Sequence, residues 1–234
     1  MKEIKPIAIF RSPFTSKFGV PRQSGLVKEL RGEIILEPEY NNPDAIRGLE
    51  KFDYLWLIWG FSANKDTRNL TVRPPRLGGN ERLGVFATRS PFRPNGLGLS
   101  SVRIVSVGEG VIVVSGADLM DGTPIYDIKP YIPYTDCHPE ANGGFTEERE
   151  WRELTVDIPE DVSKLFSKEQ GSALRNTLAL DPRPHYHTSE ERIYGMPFFD
   201  YDIRFQVKGN TLKVIEAKKI KTTLTTDLQE TFSF

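Results

Sequence analysis

The chain has 234 residues, 38% hydrophobic and 27% charged, a composition that excludes a disordered segment and supplies material for a sizeable core. Its 31 Lys and Arg against 32 Asp and Glu leave a formal charge of −1, which excludes nucleic-acid binding through overall basicity and requires any anion-binding face to be local. One cysteine, Cys137, excludes an intramolecular disulfide and fits a reducing compartment. The N-terminus has no apolar signal region and the longest apolar run, residues 54–61, is too short to span a bilayer, so a cytoplasmic protein is expected.

In chain order, residues 4–10 form a short apolar run closed by Arg11-Ser-Pro13, which reads as a strand ended by proline. Residues 13–32 make a long loop rich in turn residues, and loops of that length in compact domains tend to carry function. A short strand is expected at residues 34–36. Asn42 as cap with Pro43 at the first helical position starts a brief helix that ends near Gly48 or Lys51. Residues 54–61 are nearly all apolar and predict a strand buried on both faces. Residues 99–107 and 111–115 around Gly108-Glu-Gly110 predict a hairpin. A turn at residues 117–124 then leads into a strand at 125–128.

Residues 139–150 are polar, acidic and glycine-containing and read as a linker or mobile loop between residues 1–138, mostly β, and residues 151–234, α+β. In the second region a strand is expected at 151–156, then two short helices within 159–180 interrupted near Gly171 and stopped by Asp181-Pro-Arg-Pro184. Phe199, Tyr201, Ile203, Phe205 and Val207 alternate with polar residues and predict a half-buried strand, which Lys208-Gly-Asn210 turns into a second hairpin. The tail from residue 221 is expected to fray.

Residues 67–103 are the unusual stretch. They hold seven arginines (Arg68, Arg73, Arg76, Arg82, Arg89, Arg93 and Arg103), no lysine and one acid, Glu81. Planar guanidinium forks bind carboxylates and phosphates bidentately, so a loop system that binds anions is expected. Common chemistries fail on spacing. In Gly79-Asn-Glu-Arg-Leu-Gly84 the positions for the phosphate-binding Lys and Ser/Thr are Val85 and Phe86. Gly96-Leu-Gly98 lacks the third glycine of a dinucleotide fingerprint, Ser101 standing there. Cys137-His138 has no second ligand cluster for zinc, and no serine sits in a nucleophile elbow.

Six blocks in one order resemble a known family: Pro21-Arg-Gln, Gly48-Leu-Glu, Arg73-Pro-Pro-Arg-Leu-Gly-Gly, Gly84-Val-Phe-Ala-Thr-Arg-Ser-Pro-Phe-Arg-Pro-Asn, Asp118-Leu-Met-Asp-Gly-Thr-Pro and Asp127-Ile-Lys-Pro-Tyr-Ile-Pro, followed by Asp181-Pro-Arg-Pro. These are similar to the TsaA-like family, whose bacterial members are S-adenosylmethionine-dependent tRNA methyltransferases. They methylate N6 of threonylcarbamoyl-adenosine at nucleotide 37, beside the anticodon. The resemblance implies a single-sheeted β-barrel at the N-terminus with a smaller α+β domain after it, a homodimer, S-adenosylmethionine as cofactor, and a tRNA anticodon loop, that of a threonine tRNA, as partner. It implies neither metal nor membrane.

By motif position, the resemblance implies cofactor contacts at Gln23, Ser24, Gly25, Phe61, Ser62, Arg89, Leu99, Ser115, Gly116, Ala117 and Asp118. Phe61 suits an adenine ring and Arg89 a methionine carboxylate. The chain departs from the usual Pro-Asn-Pro-Ile-Gly by reading Pro94-Asn-Gly96-Leu-Gly98. The acceptor nitrogen is a poor nucleophile while it keeps its proton, so a carboxylate base is expected, with Asp118, Asp121 and Asp127 as candidates between which the sequence does not choose. Arg73, Arg76, Arg93 and Lys129 are candidate cations for the substrate's carboxylate and phosphates. Tyr131 and Phe92 are candidate stacking surfaces for a base, and both suit plain packing equally. Arg183, with Tyr186 near it, is the candidate in the C-terminal region, which is expected to extend the RNA surface or complete a dimer. Two other readings stay open: a methyltransferase acting on another nucleoside or a small molecule, and a non-catalytic module that senses the cofactor or binds RNA.

Overall fold

The computed structural model describes residues 3–64, 69–74, 77, 81–147, 152–184 and 189–220. In chain order the elements of the first region are β1 (Ala8–Arg11), β2 (Arg31–Leu36), α1 (Pro43–Ile46), β3 (Tyr54–Gly60), β4 (Thr71–Val72), β5 (Leu83–Gly84), β6 (Leu97–Gly108), β7 (Val111–Ser115), β8 (Thr123–Pro130) and α2 (Pro133–Asp136). Those of the second are β9 (Thr155–Asp157), α3 (Glu160–Ser163), α4 (Lys168–Ala179), β10 (Tyr194–Phe198), β11 (Tyr201–Lys208) and β12 (Thr211–Lys219).

Six strands close into a barrel in the order β1-β2-β7-β6-β3-β8, all neighbours antiparallel. Closure removes the free edges that an open sheet of this size exposes. The inside is filled by every second residue of each strand: Ala8 and Phe10, Ile34 and Leu36, Leu55 and Leu57, Ile112 and Val114, all buried. Each fully buried Leu, Ile or Phe contributes roughly 1.5–3 kcal/mol against leaving it in water. The expected mainly β class and barrel are what the chain forms.

The strand at 54–61 differs from expectation in its outer face. Leu55, Leu57 and Trp59 point into the barrel, whereas Tyr54 is 42% exposed and Trp56 and Ile58 are half-buried. A barrel has one interior, so half of the run must face outward. The outward aromatic residues find partners in the segment after β8: Trp56 Nε1 donates to Asp136 Oδ2 at 2.8 Å, and its ring lies 5.5 Å from that of Tyr131. α1 stops at Ile46, earlier than expected, and a separate 3-10 turn follows at Leu49–Lys51. Asn42 caps α1 as expected, its side chain accepting from the Asp44 N–H at 2.9 Å.

The second region is a sheet in the order β10-β11-β12-β9, its last pair parallel, with α4 laid on it through Ala173, Leu174 and Leu178. The break between the two helices falls at Ser167, not at Gly171. Ser167 and Gln170 form a reciprocal capping box that starts α4, and Gly171 continues the helix by donating to the Ser167 carbonyl at 2.8 Å. β10, which contains Gly195 and Pro197, was not among the expected strands. It is an edge strand, where a missing N–H is tolerated. Phe199 lies in the turn between β10 and β11 with φ at 51°, so the regular alternation begins at Tyr201. The expected frayed tail, Trp151 and part of the expected linker lie outside the described residues.

The connection between β1 and β2, residues 12–30, starts and ends on the barrel yet packs elsewhere. Its Phe14, Val27 and Leu30 are buried in the hydrophobic core of the second sheet, with Phe18 and Val20 packed against the same core. The two regions are therefore joined through this loop.

Candidate active site

A cavity of about 460 Å³ opens where this loop meets the barrel. One wall is the end of β3 and the start of β6, with Trp59, Leu97 and Leu99; a second is the loop residues Lys17, Pro21, Arg22 and Gln23; a third is Thr88, Arg89 and Arg93. Asp118, Met120 and Thr123 also line it. Its size lies in the range of sites for organic ligands, about 300–1,000 Å³.

The aromatic wall is built by local geometry. Phe61 follows β3 directly, its N–H donating to the Gly96 carbonyl at 2.8 Å. Its ring sits edge to face on Trp59 with centroids 4.4 Å apart. Asn95 and Gly96 both have positive φ, 65° and 54°. A proline is locked near −65°, so the turn seen here is one that the family's usual proline cannot adopt.

Behind the aromatic wall a hydrogen-bond chain ends on a carboxylate. Trp59 Nε1 donates to Ser100 Oγ at 2.9 Å, and Ser100 Oγ donates to Asp118 Oδ1 at 2.5 Å. Ser100 is fully buried. Burial pushes the Asp118 carboxyl above its ordinary pKa; hydrogen bonds from Ser100, from its own backbone N–H and from that of Ser24, together with the Arg89 charge, oppose the rise. Across the cavity Arg89 donates from Nη1 to Gln23 Oε1 at 2.6 Å, and Arg93 donates from Nη1 to the Thr88 carbonyl at 2.9 Å.

Of the expected cofactor contacts, Gln23, Phe61, Ser62, Arg89, Leu99 and Asp118 line the cavity. Ser24, Gly25, Ser115, Gly116 and Ala117 form its support: Gly25 N–H donates to the Gly116 carbonyl at 2.8 Å, Ser115 pairs with Arg31 and Arg103 in the sheet, and Ala117 is buried. Of the three candidate bases, Asp118 alone lines the cavity. Asp121 accepts from the Ser12 N–H at 3.1 Å and pairs with Arg11 at 3.4 Å, pinning the start of the loop. Asp127 pairs with Lys129 at 2.7 Å on the outer face of β8.

The candidate cations divide similarly. Arg93 lines the cavity, whereas Arg73 is exposed and does not. Arg76 and Tyr186 lie outside the described residues. Lys129 is engaged by Asp127, and the Tyr131 ring packs at a tilt against those of Tyr54 and Trp56, with centroids 6.2 and 5.5 Å away. Phe92 is 48% exposed. Arg183 makes a two-pronged bond to Asp181, both contacts 2.8 Å, and is neutralised there. Residues that sequence reasoning did not single out are Lys17, Ser100 and Trp59. A serine in the middle of a strand and a lysine in a loop carry no local signal of a shared site. Among the described residues no group of His, Cys, Asp and Glu is arranged to hold a metal ion, and no helix is long and apolar enough to cross a membrane.

The family model described as tRNA-methyltransferase O N-terminal domain matches residues 9–137, and the one described as TrmO C-terminal domain matches residues 152–220. The tRNA (adenine(37)-N6)-methyltransferase of Escherichia coli strain K12 is 42% identical over 88% of this chain and 93% of its own. A Pseudomonas aeruginosa protein described as a candidate S-adenosylmethionine-dependent methyltransferase, RcsF, is 40% identical over 86% of this chain and 91% of its own. The crystal structure of TrmO from Pseudomonas aeruginosa superposes with a TM-score of 0.77 at 30% identity, covering 93% of this chain and 99% of that one. With both family models matched in order along a barrel and a sheet that superpose on a solved relative, the chain belongs to the tRNA-methyltransferase O family.

Proposed function

We propose that this chain transfers a methyl group from S-adenosylmethionine to N6 of threonylcarbamoyl-adenosine at position 37 of tRNA. The observation that carries the reading is the convergence of Gln23, Phe61, Ser62, Arg89, Leu99 and Asp118, scattered through the sequence, on one cavity. The names of its relatives support the adenine-37 substrate and the cofactor class.

The residues present fit that cofactor. Phe61, backed by Trp59, offers an aromatic face for an adenine ring; Arg89 offers a planar cation for a carboxylate; Asp118 offers acceptor oxygens for an ammonium or ribose hydroxyl. When bound, S-adenosylmethionine supplies an electrophilic methyl carbon on a sulfonium. The protein's own task is then to hold acceptor and donor in line and exclude water. Asp118, half-buried and raised in pKa, is positioned as the general base: it takes the proton that N6 gives up as the new nitrogen–carbon bond forms, and returns it to solvent. Lys17 and Arg93 line the same cavity and supply positive charge for the substrate's threonyl carboxylate and the adjoining phosphates. Arg73, on the exposed surface, is available to the RNA backbone as it approaches.

The division of labour follows the chain: residues 1–138 carry the cofactor site, and residues 151–234 form the second unit, joined through residues 139–150. A homodimer in the cytoplasm, acting on threonine tRNA, completes the proposal. The test is incubation of the purified protein with methyl-labelled S-adenosylmethionine and one threonine tRNA prepared with and without the threonylcarbamoyl group. Label in the modified tRNA alone is the expected result. Label in neither, with cofactor binding intact, would overturn the proposed substrate.

A further inference from the structure

The loop of residues 12–30 has two faces with different partners. Lys17, Pro21, Arg22 and Gln23 line the cavity, Phe14, Phe18, Val27 and Leu30 pack into the core of the second sheet, and Val20 touches both. Phe18 lies between the two lining positions Lys17 and Val20. Its ring stacks within 12° of parallel on Tyr194 of β10 and Phe205 of β11, at 6.4 and 6.3 Å. Phe14, fully buried, meets Phe198 edge to face at 5.6 Å. The backbone is tied on the same side: the Phe199 N–H donates to the Pro13 carbonyl at 2.9 Å. Gly19 has φ at 94°, and a β-carbon there would stand 2.3 Å from Met196 Sδ of β10. Arg22 Nη2 donates to the Asp181 carbonyl at 3.2 Å, after α4. On the barrel side the Asp121 N–H donates to the Phe14 carbonyl at 2.8 Å and the Gly25 N–H to the Gly116 carbonyl at 2.8 Å, with side-chain bonds from Lys17 to Asn64 and from Arg89 to Gln23 between them.

We infer that the second sheet is the platform that positions the cofactor loop, with Phe18 as the positioning residue that holds Lys17 to Gln23 in the cavity wall. This rests on the reading of the cavity as the cofactor site. Held by those barrel contacts alone, a loop of this length samples more conformations, each residue costing about 1–2 kcal/mol to order. Anchoring its middle by two stacked rings places that ordering in the folding of the second sheet, so that it is not charged against ligand binding. The second region thereby acts on the cofactor without touching it. That role differs from an RNA surface or a dimer contact, because it operates before any RNA binds.

The experiment uses the full chain as Phe18→Ala, Phe18→Leu and Gly19→Ala. Three quantities are measured: hydrogen exchange of the segment 17–25 without ligand, S-adenosylmethionine affinity by calorimetry, and the cofactor KM and kcat on modified tRNA. In Phe18→Ala exchange in 17–25 rises while protection of the barrel strands is unchanged. Affinity falls about tenfold or more, and KM rises by a similar factor with kcat at saturation nearly preserved. Phe18→Leu, which keeps apolar volume in the same core, recovers most of the affinity. Gly19→Ala, which leaves both stacked rings in place, reproduces the loosened loop and keeps the test informative should Phe18→Ala fail to fold. Unchanged exchange and affinity in Phe18→Ala and Gly19→Ala overturn the inference, as does loss of protection throughout the barrel. A loosened loop in a protein whose wild type binds no S-adenosylmethionine would uphold the anchoring and overturn the proposed cofactor site instead.

Discussion

Arg89 donates from Nη1 to Gln23 Oε1 at 2.6 Å, linking the segment after β5 to the loop between β1 and β2 across the mouth of the cavity. The partner is a neutral amide. A carboxylate entering the cavity offers the same fork a charge-assisted bond about twice as strong, so the Gln23 contact holds Arg89 in place without competing with a ligand.

Arg89→Ala accordingly lowers S-adenosylmethionine affinity about ten- to hundredfold, the worth of a hydrogen bond to a charged group. Arg89→Lys recovers little, since a point charge does not reproduce the planar fork. Isothermal titration calorimetry checks both. Equal affinities in wild type and Arg89→Ala would remove Arg89 from the site.

Asp118 predicts opposite effects on stability and rate. Burial raises its pKa in the folded state, so the stability it contributes is present below the unfolded pKa and is lost as pH rises through the folded one. At neutral pH its charge is a cost. Asp118→Asn therefore melts no lower than wild type, while methyl transfer drops about 10²–10⁴-fold through loss of the base. Ser100→Ala removes a hydrogen bond that holds this pKa down, which moves the acid limb of the rate profile to higher pH. A profile unmoved by Ser100→Ala would assign that limb to another group.

Gly96 holds a left-handed turn at φ 54° whose carbonyl accepts from Phe61. Gly96→Ala costs about 1–2 kcal/mol from the backbone conformation alone. Gly96→Pro costs more, because the ring also forbids positive φ and removes the bond from Gly96 N–H to the Arg93 carbonyl. Thermal denaturation, with cofactor affinity measured alongside, tests the order wild type, alanine, proline.

Within β3, side chains on opposite faces are predicted to differ sharply. Leu57, fully buried in the barrel, loses about 2–5 kcal/mol on replacement by alanine. Tyr54, 42% exposed on the outer face, loses far less. Urea unfolding of the two variants distinguishes a one-sided barrel strand from a strand buried on both faces, which would make the two costs similar.

Much of this protein is legible in local order. Gly108-Glu-Gly110 between two apolar runs placed the β6–β7 hairpin, and alternation placed the β11–β12 hairpin, because a side-chain period of two is a property of the strand itself. Asn42-Pro43 marked the start of α1, and Asp181-Pro-Arg-Pro184 the end of α4, because capping and chain termination act within a few residues. The ordered blocks carried the family resemblance, and with it six residues that line the cavity. What stayed hidden depends on closure and on docking. That Leu57 faces in and Trp56 faces out of the same apolar run is settled by the barrel, which has one interior. That β10 contains Pro197 is settled by its place at a sheet edge. The partition of Asp118, Asp121 and Asp127 into one cavity residue and two pinned elsewhere follows from β8 wrapping against β1 and β3. That Phe18 and Phe14 belong to a core built mainly from residues after 154 was beyond any local pattern, since contacts across such separations are chosen by the packing of whole elements and leave no periodic trace in the chain.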